Sequence, residues 1–138
     1  MNSPVTIDAS VFVSAFTPSE PAHQESKAYM LDVRRQSIPI IVPLLVLPEI
    51  SAALSRGQGK PELGLAFVQE LRNFPNTTFI DVDESIATLA VDVAANNRLR
   101  GSDAVYAAVA LRFGTELITL DKEQLDRLPK VLSVRKPK

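Results

Sequence analysis

The sequence predicts an α/β fold built on a mainly parallel sheet. Three observations carry that reading. Short β-branched runs alternate with stretches of helical periodicity, five strands can be placed among the helices, and no linker or repeat divides the 138 residues. The expected organisation is one domain over residues 1–138. A chain of this size buries about two-thirds of its surface on folding, enough for a core without covalent staples.

Val5-Thr6-Ile7 is a short apolar run that ends on Asp8. From about Pro21 to Gln36, Ala22, Ser26, Tyr29, Met30 and Val33 recur at three- and four-residue steps, which predicts a helix entered near Ser19. Ile38 to Val42 is β-branched and bounded by Pro43, the pattern of a buried strand. The next helix carries Ile50, Ala53 and Leu54, tolerates Pro48 in its first turn and ends near Gly57. Glu62 to Phe74 is the clearest amphipathic helix: Leu63, Ala66, Phe67, Leu71 and Phe74 form one stripe, with Glu70 at its edge.

Thr77 to Ile80 reads as a strand. Ile86, Leu89, Ala90, Val93 and Ala94 make a further helical stripe with a polar exit at Asn96-Asn97-Arg98. Ala104, Ala107, Ala108 and Leu111 predict a core helix whose small side chains permit close packing, capped by Gly114. Leu117 to Leu120 is a strand, Lys122 to Arg127 a short helix, and Val131 to Val134 a last strand.

Composition removes several chemistries. With no cysteine there is no disulfide scaffold, zinc ribbon or thiol nucleophile. One histidine, His23, leaves a Ser-His-Asp triad or multi-histidine metal site almost nothing to work with, and its place near the start of a surface helix suits a structural role. A net charge of −1 gives no global basic field, so any nucleic-acid binding must come from a local patch. No run is long and apolar enough to span a bilayer, and the N-terminus lacks a secretory pattern, so a cytoplasmic protein is expected. Gly57 to Pro61 is a loop after a helix and fits neither a dinucleotide fingerprint nor a P-loop.

Carboxylates are plentiful. In doubly wound sheets, ligands bind beyond the C-terminal strand ends where strand order reverses. Asp8 directly follows the first strand and Asp121 the fourth; Glu49 lies one turn into the helix after the second, and Asp103 starts a helix. Each acid also has a structural explanation. Asp121 with Gln124 resembles a capping box, Asp103 meets a helix dipole, Asp8 caps the turn into Ser10–Phe16, and Glu49 suits an exposed first turn. Together, however, four converging carboxylates repel and raise some of their pKa values. A hard divalent cation resolves that conflict, and it can acidify water and stabilise a transferring phosphoryl group.

The order and local wording of these motifs resemble the PIN-domain ribonucleases, specifically VapC-type toxins of toxin–antitoxin pairs. The carriers are Ile7-Asp8-Ala9-Ser10, Pro48-Glu49-Ile50 with Ala53-Leu54, Leu99-Arg100-Gly101-Ser102-Asp103-Ala104 and Ile118-Thr119-Leu120-Asp121. The resemblance covers nearly the whole chain. It implies a three-layer α/β/α sandwich whose central parallel sheet of about five strands has the order 3-2-1-4-5. It also implies that Asp8, Glu49, Asp103 and Asp121 form the catalytic, metal-binding pocket for Mg²⁺, with Mn²⁺ as substitute. Ser10 and Thr119 match supporting hydroxyl residues, and Gln124 stands where many relatives carry an aromatic, a change expected to affect packing.

Implied too are an RNA substrate cut to 5′-phosphate and 3′-hydroxyl ends, a small antitoxin partner and a homodimer. Arg98 and Arg100 are candidates to hold RNA phosphates, with Arg56, Lys60 and the basic tail Arg135, Lys136 and Lys138 as further cations. The alternative is a PIN-fold RNA-binding or scaffold protein without catalysis. A haloacid-dehalogenase-type phosphotransferase is disfavoured because Ser10 stands where its second Asp is needed, and a phospho-receiver because the acid pair after the first strand is missing.

Overall fold

The computed structural model describes residues 2–138. Its sheet has five parallel strands in the order β3-β2-β1-β4-β5. These are β1 (Val5–Ile7), β2 (Ile40–Pro43), β3 (Thr77–Ile80), β4 (Glu116–Ile118) and β5 (Val134–Arg135). The register places Val5 beside Ile40 on one side and Glu116 on the other, so β1 is central. Ile7, Ile40, Val42, Leu117 and Ile118 are fully buried, as expected of strands covered on both faces.

Among the described residues, seven helices connect the strands: α1 (Ala9–Phe16), α2 (His23–Arg35), α3 (Val46–Gln58), α4 (Pro61–Arg72), α5 (Glu84–Asn97), α6 (Gly101–Phe113) and α7 (Lys122–Arg127). From β1 to β3 the strand order moves one way, and after β3 the chain crosses to the other side of β1. Right-handed crossovers therefore put α1 to α4 on one face and α5 to α7 on the opposite one. The packing agrees: α1 meets α2 and α3, α3 meets α4, and α5 packs on α6, which lies across β1, β2 and β4. The reversal between β1 and β4 creates the crevice where ligands of such sheets bind.

The α6 helix shows why. Asp103, Ala104, Tyr106, Ala107, Ala108, Val109 and Ala110 are all buried, so the helix is wedged between the sheet and α5. Its alanines let the backbone come close enough for Tyr106 and Asp103 to reach the strand ends.

Four expectations shift. The last strand, expected over Val131 to Val134, is only Val134–Arg135, because the chain from 131 to 133 is still leaving the turn after α7. The segment after Asp8 is a full helix, α1, and not merely a turn. The second helix starts at His23 behind Ala22, which has no side-chain cap, so Ser19 is not its entry; the His23 ring donates instead to the Ser14 carbonyl at 2.9 Å. The α4 stripe, clearest in the sequence, is divided: Leu71 is buried in the core, while Ala66, Phe67 and Phe74 line an open groove beside it. That groove, about 780 Å³, runs between α1, α2 and α4 past Phe12, Phe16, Met30, Leu31, Phe67 and Phe74, with Lys27 and Arg34 on its walls.

α4 is held to α3 by a close approach at Gly64. A Cβ there would lie 2.7 Å from the Ser51 main-chain oxygen. Overpacking against backbone costs about 1–3 kcal/mol and outweighs the ~1 kcal/mol helix-propensity gain of alanine. Gly64→Ala is expected to lose about 1 kcal/mol net in urea unfolding; an unchanged or higher midpoint would show that α4 is free to shift.

Candidate active site

Asp8 ends β1 and caps α1. Three neutral donors converge on its Oδ2: the Ser10 amide at 3.2 Å, the Ser10 hydroxyl at 2.6 Å and the Thr119 hydroxyl at 3.2 Å. Both hydroxyls also accept main-chain donors from the fourth strand's exit. Ser10 Oγ receives the Leu120 amide at 3.1 Å, and Thr119 Oγ1 receives the Asp121 amide at 3.0 Å. Ser10 and Thr119 thus stitch the C-terminal ends of β1 and β4 together and carry Asp8 and Asp121 on either side of the seam.

Glu49 projects from the first turn of α3 and accepts from the Tyr106 hydroxyl at 2.6 Å. That bond, to a fully buried tyrosine, sets aside the exposed first-turn reading. Asp103 is buried in the first turn of α6. Its Oδ1 accepts from the Gln124 amide at 2.9 Å and its Oδ2 from Arg100 Nε at 3.0 Å. Asp121 caps α7, its Oδ2 taking the Gln124 backbone amide at 2.9 Å and its Oδ1 meeting Arg100 Nη2 at 3.2 Å.

Burial pushes the Asp8 carboxyl up from its ordinary value; the Ser10 and Thr119 bonds pull it back, and the charge of Asp103 adds to the rise. Glu49 also lies above its ordinary value, chiefly through burial, with the Tyr106 bond opposing and the charges of Asp8 and Asp103 reinforcing. The charges of Asp8, Glu49 and Asp103 thus act on one another at this end of the sheet. Tyr106 is driven far above the normal phenol range by burial and by Asp8 and Glu49, so it remains a donor.

The donor chemistry suits a hard divalent ion. All candidate ligands are carboxylate oxygens, and among the described residues the hydrogen-bond donors to the buried Asp8 carboxyl are all neutral. As placed, no group of three or more His, Cys, Asp or Glu among the described residues converges closely enough to hold an ion. Arg100 spans Asp103 and Asp121 at that point.

Two residues of the site escape a reading by composition and spacing. Tyr106 looks like part of an apolar core helix, although it lies three residues after Asp103 and so shares its face. Gln124, where the expected effect is on packing, is fully buried and its side-chain amide also donates to Asp103. The capping-box reading of Asp121 and Gln124 holds only by half: the aspartate caps, but the glutamine side chain turns to α6. Arg98 caps α5 in a left-handed conformation, and its carbonyl accepts from Arg127. Arg135 is not part of a loose tail; it pairs with Glu116 at 2.9 Å and lies over the Tyr29 ring.

Removing only the Tyr106 hydroxyl tests its hold on Glu49. Tyr106→Phe keeps the buried volume and is expected to cost about 1 kcal/mol of stability. Loss of such a supporting partner lowers activity of metal sites about 10- to 100-fold. With the opposing bond gone, Glu49 rises further, so the acid limb of the pH–rate profile should move to higher pH. A normal rate and an unmoved limb would leave Tyr106 a packing residue.

A family model described as PIN domain matches residues 5–131. Comparison with curated protein sequences returned no match. Among solved structures, VapBC2 from Rickettsia felis bound to a promoter DNA fragment is 13% identical with a TM-score of 0.73, over 98% of this chain and 99% of that one. FitAcB from Neisseria gonorrhoeae is 15% identical with a TM-score of 0.72, over 96% and 97%. VapC20 of Mycobacterium tuberculosis, a toxin that cleaves the sarcin–ricin loop, is 16% identical with a TM-score of 0.70, over 86% and 90%. At these identities the likeness concerns the fold.

Proposed function

Since the chain belongs to the PIN domain family, we propose that it is a metal-dependent endoribonuclease, the toxin half of a toxin–antitoxin pair. The observation that carries this reading is the buried Asp8 carboxylate at the β1–β4 switch point, held by neutral donors and facing Glu49 and Asp103. An anion kept in such a place at the expense of desolvation points to a cationic ligand.

Asp8, Glu49, Asp103 and Asp121 are the oxygens to hold Mg²⁺ or Mn²⁺. Bound there, the ion supplies charge that offsets the developing phosphoryl oxyanion and acidifies the attacking water. Glu49 orients the attacking water and takes its proton on Oε2, the oxygen that does not receive the Tyr106 bond. The water oxygen bonds to phosphorus, the P–O3′ bond breaks, and the departing oxygen takes a proton to leave 3′-hydroxyl and 5′-phosphate ends. Arg100, exposed beside Asp103 and Asp121, and Arg98, exposed at the end of α5, meet neighbouring phosphates.

A small antitoxin and a homodimer belong to the same reading. The apolar groove between α1, α2 and α4, with Lys27 and Arg34 exposed on its walls, suits an antitoxin segment that is apolar on one side and acidic beside it. No helix among the described residues is long and apolar enough to cross a membrane, and a cytoplasmic site of action forms part of the proposal.

A PIN-fold scaffold without catalysis is the second reading, favoured by Arg100 lying across Asp103 and Asp121. Incubating the protein with end-labelled tRNA and a structured rRNA fragment, with Mg²⁺, Mn²⁺ or EDTA, separates the two. Cleavage that needs the ion and leaves 5′-phosphate ends supports the enzyme. Intact RNA under every condition, from folded protein that binds no Mn²⁺, supports the scaffold.

A further inference from the structure

Every oxygen of Asp103 and Asp121 already has a protein donor. Gln124 supplies one to each, from its side-chain amide to Asp103 and its backbone amide to Asp121. Arg100 supplies the other two, Nε to Asp103 Oδ2 at 3.0 Å and Nη2 to Asp121 Oδ1 at 3.2 Å. The two sets differ in environment. The Gln124 side chain is fully buried, while the Arg100 side chain is 69% exposed.

We propose that Arg100 is a built-in competitor for the divalent ion: its guanidinium bridges Asp103 and Asp121 in the metal-free protein and must leave before those carboxylates can serve as ligands. This inference rests on the metal-dependent reading of the site. A guanidinium fork can reach two carboxylates at once and stays charged at any relevant pH, so it substitutes for a cation without a proton changing hands. Its exposure makes departure easy, since exposed ion pairs are weak and the freed group returns to water. Gln124 does not have to move, and its two bonds keep Asp103 and Asp121 in place during the exchange.

With Arg100 withdrawn, Asp103 Oδ2 and Asp121 Oδ1 lose their donors together. Occupancy is then set by the concentration of the ion, and the displaced guanidinium is left at the rim of the crevice, where RNA phosphates pass.

The test is Mn²⁺ binding by titration calorimetry, without RNA, for wild type, Arg100→Ala and Arg100→Lys, with thermal unfolding as a control of folding. Arg100→Ala should bind Mn²⁺ about tenfold more tightly, equivalent to about 1.4 kcal/mol. Arg100→Lys keeps the charge but lacks the fork, so it should also bind more tightly than wild type, by a smaller factor. Equal affinity in all three, or weaker binding in Arg100→Ala, overturns the competition. Tight binding by Arg100→Ala with wild-type affinity in Arg100→Lys would reduce the effect to net charge and overturns the bridge. If none of the three binds Mn²⁺, the metal-dependent reading itself fails and the competition falls with it.

Discussion

Asp8→Asn is expected to abolish metal-dependent RNA cleavage while leaving the fold intact and more heat-stable. Asparagine keeps the shape and one acceptor oxygen, so the Ser10 and Thr119 hydroxyls retain a partner. What disappears is the negative charge. A preorganised electrostatic group in a water-poor site is worth on the order of 10²–10³ in rate, and Asp8 and Asp103 are the two buried members of the four acids. The same charge is costly in the metal-free protein, because burial is the main cause of the raised Asp8 pKa. Initial cleavage rates and melting curves in EDTA, taken on the same preparations, check both halves. A variant that loses activity and also melts lower than wild type would show Asp8 to be a structural cap.

The second large effect is on stability as a function of pH and metal. Asp8 and Glu49 both have folded-state pKa values above their ordinary 3.8 and 4.5. Between the ordinary and raised values the native state holds more protons than the unfolded state, so stability falls as pH rises. Metal-free protein should therefore be most favoured by these groups below about their ordinary values, and should lose that contribution as pH climbs through the raised ones. A divalent ion should reverse the loss. At a hundredfold excess over its dissociation constant the gain is about 2.7 kcal/mol, or roughly 10 °C in a chain of this size. Melting at stepped pH, with EDTA or with Mn²⁺, reads the effect directly, and Asp8→Asn should flatten the pH slope. Curves that coincide with and without metal at neutral pH would remove the ion from the site.

Much of the fold could be read along the chain because it is local. The β-branched run at Ile38–Val42 and the helical steps through Ile86 to Ala94 match β2 and α5 within the ordinary scatter of element ends. Ala9–Phe16 was less legible for a physical reason. Its sequence, ASVFVSAF, has no polar stripe to set a period, since it lies within the protein and not on its surface. The α4 stripe misleads in the opposite way: periodicity shows that one face is apolar, but not whether core or open groove receives it.

By itself the sequence determined most of the elements and the positions of four carboxylates near their ends, because propensity, capping and strand alternation act over a few residues. The tertiary structure alone decided how those acids are held. Tyr106 reaches Glu49 across 57 residues of chain, Gln124 turns from its own helix end to Asp103, and Arg100 joins two acids on different helices. Such bonds form only within about 3 Å, a distance set by how the buried faces of α3, α6 and the β1–β4 seam pack together. No local pattern encodes that packing.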